Sequence, residues 1–266
     1  MNRSDSCKAM REPRLFYCPD AASTVSSGGA TTRTVFLPSD ESHHAAQVLR
    51  LKASEAVRLF DGAGIFYEGR IARTAKRIVE VEILSSFSSA AEPRCRVVLI
   101  VGSLKGRKVD FLVQKAVELG VAEIAFFPAE RSVAKSKAVD THGVADERLD
   151  RIVVSACKQC GRAGLMSVRF FASLDAALAC VPDGMSRYVF WEEMKREENS
   201  VPRMLDVPPG GACALIGPEG GFASDEIKRV RATGFEVRSL GRRILRAETA
   251  ALAAAVLLLD RASELS

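Results

Sequence analysis

Leu215-Ile-Gly-Pro-Glu-Gly-Gly-Phe-Ala-Ser-Asp-Glu-Ile227, read with Leu240-Gly-Arg-Arg-Ile-Leu-Arg-Ala-Glu-Thr-Ala250, decides the fold of this 266-residue chain. The first stretch completes an apolar strand at residues 212–216 and breaks abruptly at Gly217-Pro218. Three glycines in five residues then remove the Cβ atoms that would hold a ligand away from the backbone. Ser224 is placed to cap the helix that follows, with Asp225 and Glu226 in a first turn that the helix dipole favours. The second stretch repeats the plan: a short strand, a Gly-containing turn and a long Ala-rich helix. Two such turns, close together in sequence, can form the two walls of one small-molecule site.

Working upstream, strands at 96–101, 122–127, 168–171 and 188–191 alternate with helices at 107–119 and 147–160, and a last strand falls at 237–240. That rhythm predicts a mostly parallel sheet flanked by helices. Residues 14–87 read differently. Short strands at 34–37, 56–60, 65–72 and 78–84 are separated by turns, Asp61-Gly62 among them, with a helix over 41–49. Residues 23–32 (STVSSGGATT) read as a polar loop, and 85–93 (SSFSSAAEP) as the linker between a small β-barrel-like module and the α/β half.

Nearly half of the residues are hydrophobic, enough for a substantial core, and the formal net charge is +5, which suits a polyanionic partner. Seven cysteines without a framework read as free thiols in a reducing cytoplasm. The polar, charged first ten residues do not read as a secretory signal. The longest apolar stretch, 250–259, is too short to cross a bilayer and reads as a buried helix.

The two stretches also carry a resemblance. IGPEGGF…SDEI followed by LGRRILRAETAAL resembles the signature of the SPOUT class of S-adenosylmethionine-dependent RNA methyltransferases. Within it, the chain resembles the bacterial enzymes that methylate N3 of a uridine in 16S ribosomal RNA. Further blocks occur in the family's order: residues 13–17 (PRLFY), 44–51 (HAAQVLRL), 59–62 (LFDG), 114–121 (QKAVELGV), 130–133 (ERSV) and 159–162 (QCGR). The likeness runs from Met10 onward; residues 1–9 match nothing and read as a disordered extension.

The resemblance implies an α/β protein in two parts: a PUA-like β-barrel RNA-binding domain over 10–88, and a SPOUT methyltransferase domain with a deep trefoil knot over 89–266. It assigns Leu215, Gly217, Pro218, Glu219, Gly220 and Gly221 to one S-adenosylmethionine-binding loop. It assigns Leu240, Gly241, Ile244, Leu245, Arg246, Thr249 and Ala250 to the other. Glu192 matches an acidic position of the pattern. The family's enzymes dimerise near the cofactor site, so a homodimer is expected. The implied substrate is 16S rRNA in the small ribosomal subunit, near the decoding region.

The chemistry sets its own demands. Uracil N3 carries a proton at neutral pH, so its methylation needs a base, or a cation that stabilises the N3/O4 anion. Arg246 is the first candidate for the cation; Glu219 or Glu248 can accept the proton. Basic residues at 105–108, 131–137, 158 with 162, and 242–243 can contact phosphates without reading sequence. Arg14, Arg50, Arg131, Gln159 and Arg162 are the RNA contacts that the blocks point to.

Other signals carry less. Cys157 and Cys160 have CxxC spacing on a helix without a second pair, whereas zinc needs four ligands. Residues 102–108 lack the GK[ST] ending of a phosphate loop. No metal is expected. Two rivals share these features: a related methylase acting on another RNA or base atom, and a non-catalytic RNA-binding assembly factor.

Overall fold

Alternating buried and exposed side chains build the first half of the chain. The computed structural model describes residues 13–23, 25–26, 33–75, 78–128, 147–192 and 204–265. The extension 1–9, most of the loop 23–32, and Arg131 with its basic cluster therefore lie outside the described residues. The described chain divides into two compact units. The first reaches Ala90 and also takes in Arg162–Gly164; the second holds the rest.

In the first unit β1 (Arg14–Tyr17), β2 (Val25–Ser26), β3 (Arg33–Phe36), β4 (Ala56–Phe60), β5 (Ile65–Ala75) and β6 (Ile78–Ser88) form one sheet in the order β1-β4-β5-β6-β3-β2. Only β1 and β4 run parallel. Phe16, Val35, Leu59, Ile71, Val79 and Val81 fill its core. The opposite face carries cross-strand ion pairs: Arg58–Glu68 at 3.1 Å, Arg70–Glu82 at 2.6 Å and Arg73–Glu80 at 3.7 Å. Such exposed pairs add little stability but match charge along the strands.

Two local expectations change here. The linker expected at 85–93 is half strand, because Ser85 to Ser88 pair with β5 and the Phe87 ring packs 5.6 Å from Phe66. The helix expected over 41–49 is α1 (Ser39–His43) continuing as one π-helical turn, His44–Val48. Its Ser42 hydroxyl is buried and donates to the Leu37 carbonyl at 2.9 Å.

The second unit bears out the parallel-sheet reading. Its strands are β7 (Val97–Gly102), β8 (Glu123–Phe127), β9 (Ser167–Phe170), β10 (Ser186–Phe190), β11 (Ala212–Ile216) and β12 (Glu236–Arg238). They are all parallel, in the order β12-β10-β11-β7-β8-β9. Every residue of β7, β8 and β11 is buried, as expected of central parallel strands covered on both faces. The helices are α2 (Arg107–Leu119), α3 (Glu147–Cys160), α4 (Leu174–Ala179), α5 (Ser224–Ala232) and α6 (Ala247–Arg261). The short α4 has no counterpart in the pattern reading; Ser173 caps it, accepting from the Ala176 N–H at 3.1 Å.

The cap of α5 also differs from expectation. Ser224 is the first helical residue, Ala223 holds the cap position, and the buried Glu226 carboxylate accepts the Ala223 N–H at 2.9 Å. The glutamate in the third position reaches back to the cap amide, the half of a capping box that does not need a serine at the cap.

Candidate functional site

The carboxyl ends of β10, β11 and β12 open onto a cavity of about 470 Å³, within the usual size of a small-molecule pocket. This is the edge of a parallel sheet where α/β ligands gather. Each wall comes from a strand end. From β10 come Phe190, Trp191 and Glu192; from the turn after β11 come Ile216, Gly217, Pro218, Glu219 and Gly221. The loop between β12 and α6 supplies the rest, Ser239 through Ala247, with Ala250 from the helix itself and Lys108 from α2.

The turn after β11 is shaped by what glycine permits. Gly221 has a φ of 69° and donates to the Pro218 carbonyl at 2.9 Å. A Cβ on Gly221 would overlap Glu192 Oε1. On β7, a Cβ at Gly102 would fall 2.5 Å from the backbone nitrogen of Pro218. Two strand ends can approach this turn closely because both positions lack a side chain. Behind it, Phe222 stacks on Phe127 with ring centroids 6.5 Å apart and planes 7° from parallel.

Charge is distributed unevenly around the cavity. Lys108 Nζ donates to Glu219 Oε1 at 2.5 Å and lies 3.8 Å from Glu248 Oε1. That hydrogen bond, helped by the positive charges of Lys108, Lys105 and Arg246, holds the Glu219 carboxyl below its ordinary range. A carboxylate so held is a poor proton acceptor, so the geometry favours Glu219 as an anchor of its turn. Glu248 is buried in the first turn of α6, and its Oε2 has no hydrogen-bond partner. The Trp191 indole N–H is likewise buried, with no acceptor among the described residues. Arg242, Arg243 and Arg246 line the same cavity and are exposed. Arg246 caps α6 through its backbone alone, with its carbonyl accepting from the Ala250 N–H at 2.8 Å.

Of the residues that the sequence assigned to the two loops, Gly217, Pro218, Glu219 and Gly221 line the cavity from one side. Leu240, Gly241, Ile244, Leu245, Arg246 and Ala250 line it from the other. Leu215 is fully buried in the core behind the turn; Gly220 and Thr249 neighbour lining positions without lining the cavity. Lys108 was read only as part of a basic cluster, and its place here follows from the packing of α2 beside α6.

The suggested RNA contacts do not all fare alike. Arg14, Arg50 and Gln159 are exposed. Arg162 is only 5% exposed. Among the described residues no cluster of three or more His, Cys, Asp or Glu side chains is placed to hold a metal ion. Among them, too, no helix is long and apolar enough to cross a membrane.

Residues 91–259 match the family model of an RNA methyltransferase domain, and 37–84 match an RNA methyltransferase PUA domain. The chain is 25% identical to the ribosomal RNA small subunit methyltransferase E of Buchnera aphidicola (from Acyrthosiphon pisum) over 82% of this chain and 85% of that one. A crystal structure of the enzyme of that name from Neisseria gonorrhoeae, bound to S-adenosyl methionine, superposes with a TM-score of 0.75 at 30% identity. That match covers 93% of this chain and 97% of the other. A methyltransferase from Legionella pneumophila, in complex with its cofactor SAM, gives 0.73 at 27% identity over 93% and 97%.

Proposed function

We propose, from the premise that this chain belongs to the RNA methyltransferase family, that it methylates N3 of one uridine in 16S rRNA of the small ribosomal subunit, using S-adenosylmethionine. The single observation that carries this reading is the cavity at the carboxyl edge of β10, β11 and β12, walled by both glycine turns. Its residues fit the cofactor. The Trp191 N–H on its wall is a buried donor with no acceptor among the described residues, and Gly217 and Gly221 bring bare backbone to the opposite wall. Gly217 to Gly221 and Leu240 to Leu245 would hold it.

When bound, S-adenosylmethionine supplies an electrophilic methyl on a sulfonium. The protein's own part is then positioning and charge. Arg246, on the cavity wall, stabilises negative charge at N3 and O4 as the N3 proton passes to water or to Glu248, a carboxylate beside the cavity. Arg242 and Arg243 lie beside it and suit phosphate contacts. In the first unit, Arg14 and Arg50 are exposed and suit the same role.

A homodimer fits the apolar surface that α6 leaves open: Val256 is 39% and Leu257 44% exposed on a helix whose other face is core. The insertion of β11 between β10 and β7 supports the trefoil-knot reading. A ribosomal substrate fits a cytoplasmic enzyme.

The test uses small subunits from a strain lacking the modification, purified protein and methyl-labelled S-adenosylmethionine. Nucleosides are identified by mass spectrometry. A single 3-methyluridine in 16S rRNA is expected. Methyl groups elsewhere discard the target and keep the reaction class. No incorporation together with no cofactor binding overturns the reading.

A further inference from the structure

The geometry points to Lys108 as a positioning residue that holds the two walls of the cavity to each other, an inference that rests on the cofactor reading above. Its ammonium belongs to α2, yet its partners lie elsewhere: Glu219 in the turn after β11, and Glu248 in the first turn of α6. One charge therefore links three elements that are far apart in sequence.

The Lys108–Glu219 contact differs from an ordinary surface ion pair in two ways. Lys108 sits in the first turn of α2, where the helix dipole disfavours a cation, so its charge does nothing for α2 itself. The Lys108 and Glu219 side chains are also 34% and 40% exposed, and pairs so open to water contribute little to global stability. What the contact does contribute is geometry. Glu219 follows Pro218, whose backbone lies against Gly102, and Glu248 follows Arg246 by two residues. Fixing both carboxylates fixes the height of one loop against the other, and that separation is the width of the slot.

The experiment compares wild type, Lys108→Met, Lys108→Arg, Glu219→Gln and the Lys108→Met/Glu219→Gln double variant. Calorimetry gives the S-adenosylmethionine dissociation constant, and hydrogen exchange of the ligand-free proteins reads the backbone of both loops. Lys108→Met is expected to weaken cofactor binding about tenfold, as loss of a charge-assisted hydrogen bond does. It should speed exchange at residues 217–222 and 244–250 together while the central strands stay protected. Glu219→Gln should loosen the first loop only, Lys108→Arg should recover most of the affinity, and the double variant should be no worse than Lys108→Met.

Wild-type affinity in Lys108→Met, additive losses in the double variant, or faster exchange throughout the sheet would each overturn the inference. A defect in RNA affinity alone would also overturn it, by making Lys108 a substrate contact. Should wild type fail to bind S-adenosylmethionine, the functional reading fails. The paired exchange of the two loops still decides whether Lys108 joins them.

Discussion

Gly221 turns with a φ of 69° against the Glu192 carboxylate, so close that a Cβ at position 221 would occupy the space of Oε1. The relationship joins the end of β10 to the turn after β11, and it makes the absence of a side chain at 221 a condition for the shape of the cavity. Gly221→Ala carries two costs. A positive φ costs alanine about 1 kcal/mol, and Glu192 must swing away from its place on the wall. S-adenosylmethionine binding should weaken about tenfold, a loss of about 1.4 kcal/mol. Adding Glu192→Ala should recover the part due to overlap and not the part due to φ. Unchanged calorimetric affinity in Gly221→Ala would remove this contact from the site.

A backbone neighbour cannot rotate away as a side chain can. A Cβ at Gly102 meets the Pro218 nitrogen at 2.5 Å, between β7 and the turn. Gly102→Ala should therefore cost about 1–3 kcal/mol, the range for overpacked sites. Urea denaturation should show the lower midpoint with an unchanged slope. An unshifted midpoint would mean that the turn moves freely off β7.

Arg246 offers the opposite test, because its side chain caps nothing. In Arg246→Ala the thermal midpoint should stay at the wild-type value, while turnover falls about a hundredfold, the scale for losing one stabiliser of a developing anion. Single-turnover methylation of small subunits separates chemistry from release. Near-normal turnover would exclude Arg246 from the reaction.

The acid limb of cofactor binding should belong to Glu219. Its folded pKa is depressed, mainly by the Lys108 hydrogen bond, so the contact is complete above the ordinary carboxylate range. It is lost as pH falls through the lowered value. Affinity should stay level from about pH 7 to about pH 5 and decline only below that. Glu219→Gln should flatten the decline, with circular dichroism checking that the fold persists. A decline that survives in Glu219→Gln would assign it to another group.

The described cysteines should differ sharply in reactivity. Burial pushes Cys18 up to about 11 and raises Cys213 far above the usual thiol range, whereas Cys180 is exposed. A maleimide at neutral pH should label Cys180 first and reach Cys18 and Cys213 only on unfolding. Peptide mapping by mass spectrometry tells them apart, and early labelling of Cys213 would contradict its place in β11.

Much of the site was legible because glycine spacing after an apolar run is a local signal. Gly217 to Gly221 and Leu240 to Leu245 could be read as two turns without knowing where either one lay. Their convergence depends on a strand order that periodicity does not encode. Lys108 and Glu219 stand 111 residues apart, and nothing in either neighbourhood announces the other. The burial of Arg162 was hidden for a related reason: a basic residue in a basic cluster gives no sign of how deep it lies. Ser85 to Ser88 read as linker because small polar residues suit both a spacer and the exposed end of a long hairpin. Only pairing to β5 decides between them.

The place of β11 has a consequence for how the chain is made. The strand lies between β7, which ends at Gly102, and β10, which ends at Phe190, although it begins only at Ala212. A ribosome that has delivered residues up to 211 has released both neighbours and not the strand that joins them. Until residues 212–216 are made, β7 lacks one neighbour and β10 lacks both of its own, an arrangement prone to wrong pairing. The binding pocket thus comes into being only after both of its flanking strands, and a chain that stops before Ala212 is left with exposed edges in place of a site.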